Sequence, residues 1–480
     1  MNISSQRLQT RSIILSGVYV LIKKTKKINM KNLKELRHTF VPLESGGEVI
    51  VINTGATIDA EALAMLQALH SRSSRGFRSH MKVLDEKGAE NFMANFYVGY
   101  GHASIGDCGT TTLFIEGVSM LAAKAIQDGR MYSGQEASTR YIDFQNQPFL
   151  NPLGTIEGFE ILENWRKFYV EAMPILIIDL EKRYPINEGE KNSIYSKAIR
   201  ARAFDILRGY LPAGSTTNLA WTTNLRQAAD KLKMIRHHPL KEVRDIASSI
   251  QKALTIAHPN SFGHKQYLET ETYNEKIMQG AYYYFDTNSS DFALTKNNVD
   301  TNELKGISDL LVKRPIYTEL PQIVEDMGEL QFTFLLDFGS YRDIQRHRAV
   351  SQRMPLLTDK LGFETWYVDE LPKVLQEKAE ILLKNQQNLI KGLDTSSELG
   401  QYYQAMGYRC SCKVTGNLRA ITYLVELRAT RFVHKTLRVR AIQMAEVLSE
   451  LFGKIGFKIH IDSDSDRFDI KRGQHDINIK

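Results

Sequence analysis

The feature of this 480-residue sequence that most limits its fold is an internal repeat. One segment, beginning at Thr110, reads "TTTLFIEGVSMLAAKAIQDGRMYSGQEASTRY", and a second, beginning at Leu330, reads "LQFTFLLDFGSYRDIQRHRAVSQRMPLLTD". Each starts with an apolar run typical of a strand, continues with a short helical pattern and ends in a polar loop that contains cations. A plan that recurs along one chain predicts two copies of one structural unit.

A second pair of segments follows the same order. Asn-Leu-Arg begins a predicted helix at Asn224 and again at Asn417. The helix after each shows apolar residues at helical spacing, namely Val243, Ile246, Ile250 and Leu254 in the first copy and Leu437, Ala441, Met444 and Leu448 in the second. The interval from loop to helix is 96 positions in the first copy, from Asp128 to Asn224, and 71 in the second, from Arg346 to Asn417. The first copy is therefore about 25 residues longer in this interval.

A polar run, "DTNSSDFALTKNNVDTNEL", follows the first copy and reads as a connector. It places the boundary near residue 285. We therefore expect an α+β protein with a first domain over residues 32–285 and a second over residues 286–480, each a sheet with packed helices. Residues 1–31 form a basic extension, and Met30 is a second possible start.

The charge balance argues against a nucleic-acid-binding role. The chain has 62 basic and 55 acidic residues, but seven of the basic ones lie in residues 1–31, which contain no acidic residue, so the remainder is neutral. The apolar run "SIILSGVYVLI" in the extension is too short to span a bilayer. Three cysteines do not suggest a disulfide framework. We expect a cytoplasmic protein with no nucleic-acid or membrane partner.

Metal binding is not expected either. His237 and His238 are adjacent and point apart on a helix. Cys410 and Cys412 alternate along a predicted strand with no further ligand nearby, so ordinary packing is the expectation for both thiols.

The loops resemble the signature of the flavin-dependent thymidylate synthases. That signature is Arg-His-Arg, two positions, Ser, four positions, Ser, one position, Arg and usually Tyr, with a Gly-His-x-Ser element upstream. The first half has "GHAS" at 101–104 and then fills the signature with Asp128, Gly129, Arg130, Ser133, Ser138, Arg140 and Tyr141. The second half has Arg346, His347, Arg348 and Ser351, but Leu356 and Thr358 replace the last serine and arginine.

The resemblance extends over nearly all of residues 45–455 and implies a reaction. This is the FAD-dependent methylation of deoxyuridylate at C5, with methylenetetrahydrofolate and NADPH as co-substrates. It also implies roles: Arg346, His347 and Arg348 as catalytic and flavin-binding residues, His102, Ser104 and Glu136 as a flavin wall, and Ser138, Arg140, Arg226 and Arg419 as nucleotide ligands. Guanidinium groups suit phosphate oxygens and the imide of uracil.

The two copies have lost different parts of the signature. This predicts one composite site built from unlike walls, in a homodimer that forms a pseudo-tetramer. Asp128 puts an anion where the signature has a cation, so the first loop is not expected to form a site alone. Three alternatives stay open: a flavoenzyme for another pyrimidine nucleotide, a non-catalytic flavin- or nucleotide-binding protein, and a decayed duplicate.

Overall fold

Two antiparallel sheets, a short two-stranded parallel sheet and packed helices make up the described fold, which confirms the α+β class. The structure is a computed structural model that describes residues 38–52, 58–71, 77–99, 101–137, 142, 144–281, 283–284 and 289–462. The described residues belong to one compact unit that begins at His38. The basic extension lies outside the described residues. No helix in the described ranges has the length and apolar character needed to cross a membrane.

The first half contains strands β1 to β6 and helices α1 to α10. In chain order these are β1 (His38–Pro42), β2 (Glu48–Ile52), α1 (Ala60–Ser71), α2 (Phe77–Lys87), α3 (Glu90–Phe92), α4 (Ala103–Gly106), β3 (Thr110–Ser119), α5 (Met120–Gln127), β4 (Ser133–Glu136), α6 (Ile156–Arg183), α7 (Asn192–Leu207), β5 (Thr216–Asn224), α8 (Leu225–Ile235), α9 (Lys241–Ala257), α10 (Leu268–Ala281) and β6 (Tyr283–Tyr284).

The second half contains strands β7 to β11 and helices α11 to α18. These are β7 (Phe292–Asn297), α11 (Thr301–Gly306), α12 (Ser308–Lys313), β8 (Glu329–Asp337), α13 (Phe338–Ile344), β9 (Ser351–Gln352), β10 (Met354–Pro355), α14 (Trp366–Asp369), α15 (Lys373–Lys391), α16 (Ser397–Gly400), β11 (Arg409–Asn417), α17 (Leu418–Arg428) and α18 (Lys435–Phe452). Short 3-10 segments include Arg208–Tyr210 and Gln401–Tyr403.

The four strands of the second antiparallel sheet follow the same order as the last four strands of the first. The first runs β1-β2-β3-β5-β4 and the second β7-β8-β11-β9. In each, a long central pair is antiparallel, with Thr110 opposite Asn224 in β3 and β5, and Glu329 opposite Asn417 in β8 and β11. The strand-to-helix junctions also correspond, because the side chains of Ser119 and Asp337 cap α5 and α13.

The repeated Asn-Leu-Arg sequence explains how each central strand turns into a helix. The side chains of Asn224 and Asn417 accept hydrogen bonds at 2.8 Å from the backbone N–H groups of Gln227 and Ala420, which are otherwise unpaired in a first helical turn. Both predicted helix starts are confirmed. The eight apolar positions predicted on α9 and α18 are all buried, and they cover the two sheets.

The halves meet through backbone hydrogen bonds that repeat in reverse. Ala213 N–H donates to Gln404 O at 2.9 Å, and Met406 N–H donates to Leu211 O at 2.8 Å. A second reciprocal pair, at 2.8 Å each, runs from Gly214 N–H to Tyr402 O and from Gly407 N–H to Gly209 O. Pro212 and Ala405 bridge at the centre. When the two Asn-Leu-Arg sequences are superimposed, each bond falls on its counterpart, so a local two-fold axis passes through this point.

The extra residues of the first half lie between its loop and its second central strand. The 28-residue α6 and the 16-residue α7 fill that interval, whereas the second half has the 19-residue α15 with the short helices α14 and α16. Cys410 and Cys412 are buried on β11, as expected for packing residues. Pro355 and Leu357 are buried as well, so this part of the second half packs into the core.

Candidate functional site

The fold brings the two signature loops together. We call residues 128–137 the first loop and residues 345–355 the second loop; they follow α5 and α13 respectively. Arg348 Nη1 of the second loop donates to Tyr132 O at 2.8 Å and to Ser133 Oγ at 2.9 Å in the first loop. Between them lies an inter-loop cleft of about 70 Å³, lined by Asp128, Gly129, Arg130, Gln345, His347, Arg348, Val350, Ser351 and Gln352. Both halves therefore contribute walls to one cleft.

Arg346 and Arg348 of the second loop are accessible cations, as is Arg353 near its end. All three are exposed. Arg346 Nη1 lies 3.6 Å from a carboxylate oxygen of Asp343, a loose contact in which about half of the arginine side chain stays in solvent. Arg346 and Arg348 can therefore present planar N–H donors to a ligand that enters the cleft.

His347 has surroundings different from those of Arg346 and Arg348, with which it shares a predicted catalytic and flavin-binding role. Its side chain is buried, and its Nε2 accepts a hydrogen bond of 2.7 Å from Nε of Arg428. Burial, and secondly the charge of Arg428, lowers the pKa of His347 to about 3. The imidazole is therefore neutral near pH 7, and it holds Arg428 in place instead of presenting a charge to a ligand.

Glu136 lies beneath the loops, with its side chain wholly buried, and makes contacts other than those predicted for a flavin wall. Its carboxylate pairs with Lys124 at 3.1 Å, accepts a hydrogen bond from Gln127 at 2.7 Å and forms an ion pair with Arg342 of the second half. Burial opposes ionisation, but Arg342 and then Lys124 outweigh it and lower the pKa of Glu136 to about 2. Glu136 thus binds the two halves to each other.

Asp128 faces the cleft with a buried lysine behind it. Nζ of Lys231 donates to Ala125 O at 3.0 Å and to the carbonyl of Asp128, so its ammonium group caps the carboxyl end of α5. Burial raises the pKa of Asp128, while Lys231 opposes that rise. Gly129 has φ +133°, a conformation that suits glycine where the signature has histidine.

A second cleft, of about 180 Å³, adjoins the first on the side of the first half. Its lining includes Arg130, Met131, Gln227 and the stacked rings of Tyr132 and Trp221, which are 6.2 Å apart at their centroids. Trp221 is buried, so the half-buried Tyr132 and the exposed Arg130 are the parts of this wall that a heterocyclic ring can reach.

The Gly-His-x-Ser element lies beside the first turn of α8. His102 and Ser104 are exposed there, and Arg226 pairs with Asp107 through two contacts, at 2.9 and 2.7 Å. In the second half, Arg419 forms ion pairs with both Glu319 and Glu325. The two predicted phosphate ligands therefore have different surroundings. Ser138 and Arg140 lie outside the described residues.

Several residues of the site escaped the sequence analysis. Lys124 of the first half and Arg342 of the second half form ion pairs with Glu136. Arg428 donates a hydrogen bond to His347. Lys124 and Arg342 stand at equivalent places, each four residues before the slot that begins its loop signature. A basic residue at the same place on the apolar helix of both copies was the sequence signal that could have predicted their role.

The fold and the paired loops define an α+β protein in which two similar halves contribute to one cleft. Residues 54–260 match the family model described as thymidylate synthase complementing protein. The match covers 207 of the 480 residues, and over this stretch the chain is similar to that family.

The curated relatives extend over both halves. A UPF0159 protein of Chlamydia muridarum is 26% identical over 419 residues, covering 75% of this chain and 78% of the relative. One from Chlamydia pneumoniae is 25% identical over 433 residues, covering 77% and 81%. One from Thermoplasma acidophilum is 22% identical over 454 residues, covering 78% and 91%.

Proposed function

We propose that this chain is a tandem, flavin-dependent thymidylate synthase-like enzyme with one composite site for every pair of unlike loops. Its reaction is the methylation of deoxyuridylate at C5 with methylenetetrahydrofolate and NADPH, in the cytoplasm. The observation that carries the proposal is the contact of Arg348 with Tyr132 and Ser133, because it joins the retained Arg-His-Arg of one half to the retained serine region of the other.

The donor set suits the ligands. Arg346 and Arg348 offer planar pairs of N–H donors to phosphate oxygens and to the uracil imide, and they stabilise the negative charge that develops on uracil as its C5 becomes nucleophilic. His347 acts as a positioning residue through Arg428. Reduced FAD supplies a hydride, and methylenetetrahydrofolate supplies the one-carbon unit. His102 and Ser104 remain proposed flavin contacts, and Ser138, Arg140 and Arg226 remain proposed nucleotide contacts.

The size of the clefts favours a dimer. The two adjoining clefts measure about 70 and 180 Å³, whereas pockets for drug-sized ligands and cofactors measure about 300–1,000 Å³. One chain therefore encloses only part of a flavin and a nucleotide together. We propose that a second copy supplies the remaining walls, so that two chains form a pseudo-tetramer.

Two other functions have specific support. Leu356 and Thr358, at the substrate end of the second loop, favour a flavoenzyme for another pyrimidine nucleotide. A neutral His347, and Asp128 at a position where the signature has a cation, reduce the positive charge of the cleft, and they favour a flavin- or nucleotide-binding protein without catalysis.

The test is a flavin titration of the purified protein followed by anaerobic reduction with NADPH, with and without deoxyuridylate. Flavin absorbance that responds to both additions is the expected result. Flavin binding without a nucleotide response would indicate another substrate, and absence of flavin binding would contradict the proposal.

Variants locate the site. Arg346→Ala and Arg140→Ala, one in each half, should each abolish the same nucleotide-dependent reduction. Arg200→Ala, which removes an exposed arginine from α7, is the matched control and should leave it unchanged. Full activity in either of the first two variants would contradict a composite site.

A further inference from the structure

Arg226 and Arg419 occupy equivalent positions, each two residues after the asparagine that caps its helix. Each also pairs with a carboxylate from the segment that leads into the central strand of its own half. Asp107 lies three residues before Thr110, and Glu325 lies four residues before Glu329. Both halves thus have an arginine paired with a carboxylate at this place, and they differ in the other contacts of the arginine.

In the first half the carboxylate holds only one side of the guanidinium. Nε and Nη2 of Arg226 donate to the two oxygens of Asp107, and 37% of the arginine side chain is exposed. Nη1 makes no hydrogen bond to any residue that the structure describes. The side-on pair fixes the plane of the group and leaves an outer donor for a ligand.

In the second half both outer nitrogens are already occupied. Nη1 of Arg419 pairs with Glu325, and Nη2 pairs with Glu319. Glu319 comes from the segment where the first half has Gly101 to Ser104. These carboxylate oxygens take the places that two oxygens of a phosphoryl group would take on the same arginine.

The charges differ as well. Arg226 and Asp107 sum to zero, whereas Arg419, Glu319 and Glu325 sum to one negative charge. A phosphate monoester carries up to two negative charges near neutral pH, so it is repelled at the second position and tolerated at the first.

We infer that Glu319 and Glu325 close the second-half counterpart of the Arg226 site, so that, of these two equivalent arginines, only Arg226 is left to anchor a phosphoryl ligand. The inference rests on the proposed function for the role of Arg226. It adds that the second-half site is closed by its own carboxylates and that their neutralisation reopens it.

Equilibrium dialysis with labelled inorganic phosphate and, separately, with deoxyuridylate tests this inference in the full chain. Wild type should bind one equivalent per chain, and Arg226→Ala should remove it. Glu319→Gln with Glu325→Gln should add a second equivalent, with affinity at least tenfold above that of wild type at this position. Adding Arg419→Ala should remove the second equivalent again. Glu377→Gln with Glu450→Gln makes the same charge change on exposed helical positions and should add nothing.

The outcomes separate the two ideas. A double glutamine variant without an Arg419-dependent site would overturn closure, even if the wild-type protein proves to be an active flavoenzyme. Wild type that already binds two equivalents would overturn it too. A second site in the variant together with no binding at Arg226 would support closure and contradict the proposed nucleotide role of Arg226. If the double variant does not fold, Glu319→Gln alone provides the same test, because it leaves Arg419 with one carboxylate partner, as Arg226 has.

Discussion

The first and second loops occupy equivalent places but are held by different chemistry. In the first loop, the side chain of Glu136 is buried and pairs with Lys124 of its own half and with Arg342 of the other half. At the equivalent position of the second loop is Met354, buried in β10. The cations at the two equivalent helix positions thus share one carboxylate, and the second carboxylate has been replaced by an apolar side chain. Change in one copy has been balanced by contacts across the interface, and neither loop can be understood alone.

The residues that cap α5 and α13 also differ in chemistry between the two halves. In the first half, Ser119 Oγ donates to Glu242 of α9 at 2.5 Å. In the second, Thr436 Oγ1 of α18 donates to Asp337 at 2.5 Å. Hydroxyl and carboxylate have exchanged elements, yet each half keeps one charge-assisted hydrogen bond between cap and helix.

The largest expected effect comes from removing the shared carboxylate. Glu136→Gln leaves the buried cations Lys124 and Arg342 without a counter-charge, so we expect the free energy of unfolding to fall by about 3–5 kcal/mol. Met354→Leu, at the equivalent position of the second loop, nearly conserves volume and should cost less than about 1.5 kcal/mol. Urea unfolding monitored by circular dichroism measures both. Equal losses would contradict the asymmetry between the loops.

Substitutions of the two cap residues should lower the free energy of unfolding by less than Glu136→Gln does. Asp337 accepts hydrogen bonds from Thr436, from Tyr367 at 2.7 Å and from Ser340 N–H at 2.9 Å, all buried. Asp337→Asn weakens these charge-assisted bonds and should lower the unfolding free energy by about 2–3 kcal/mol. Ser119→Ala removes the helix cap and one of the three hydrogen bonds to Glu242, which keeps those from Ser119 N–H and Tyr402, and should cost about 1–2 kcal/mol. A reversed order in thermal unfolding would show that the two caps are not counterparts.

The sequence predicted the parts of the fold that depend on local pattern. Asn224 and Asn417 cap helices as expected, and the apolar stripes of α9 and α18 face the core, because both follow from neighbouring residues. It did not predict that His347 is neutral or that Glu136 is buried. Both depend on partners distant in sequence, Arg428 for the first and Arg342 for the second, and a motif contains no information on depth of burial.

The buried histidines make a pH-dependent comparison possible. Burial is the main cause that lowers the pKa of His238, His347 and His434 to about 3 and of His258 to about 4, against 6.5 ordinarily. Between these values the unfolded chain binds more protons than the folded one, so stability falls as pH drops from about 6.5 toward 4.5. His347→Gln should reduce the slope by about 1.4 kcal/mol per pH unit in that window. An unchanged slope in urea titrations would mean that His347 is charged when folded.

The smallest expected effect on stability concerns the contact that joins the loops. Arg348 is exposed, and an exposed polar contact contributes at most about 1 kcal/mol, so Arg348→Ala should barely change the melting temperature. Its effect on ligands should be much larger, because the two hydrogen bonds to Tyr132 and Ser133 set the relative position of the two walls. Arg348→Lys keeps the charge but cannot reproduce the planar fork, and it should restore little of the flavin or nucleotide affinity. Full affinity in the lysine variant would show that charge alone matters, and the loops would then be neighbours without being parts of one site.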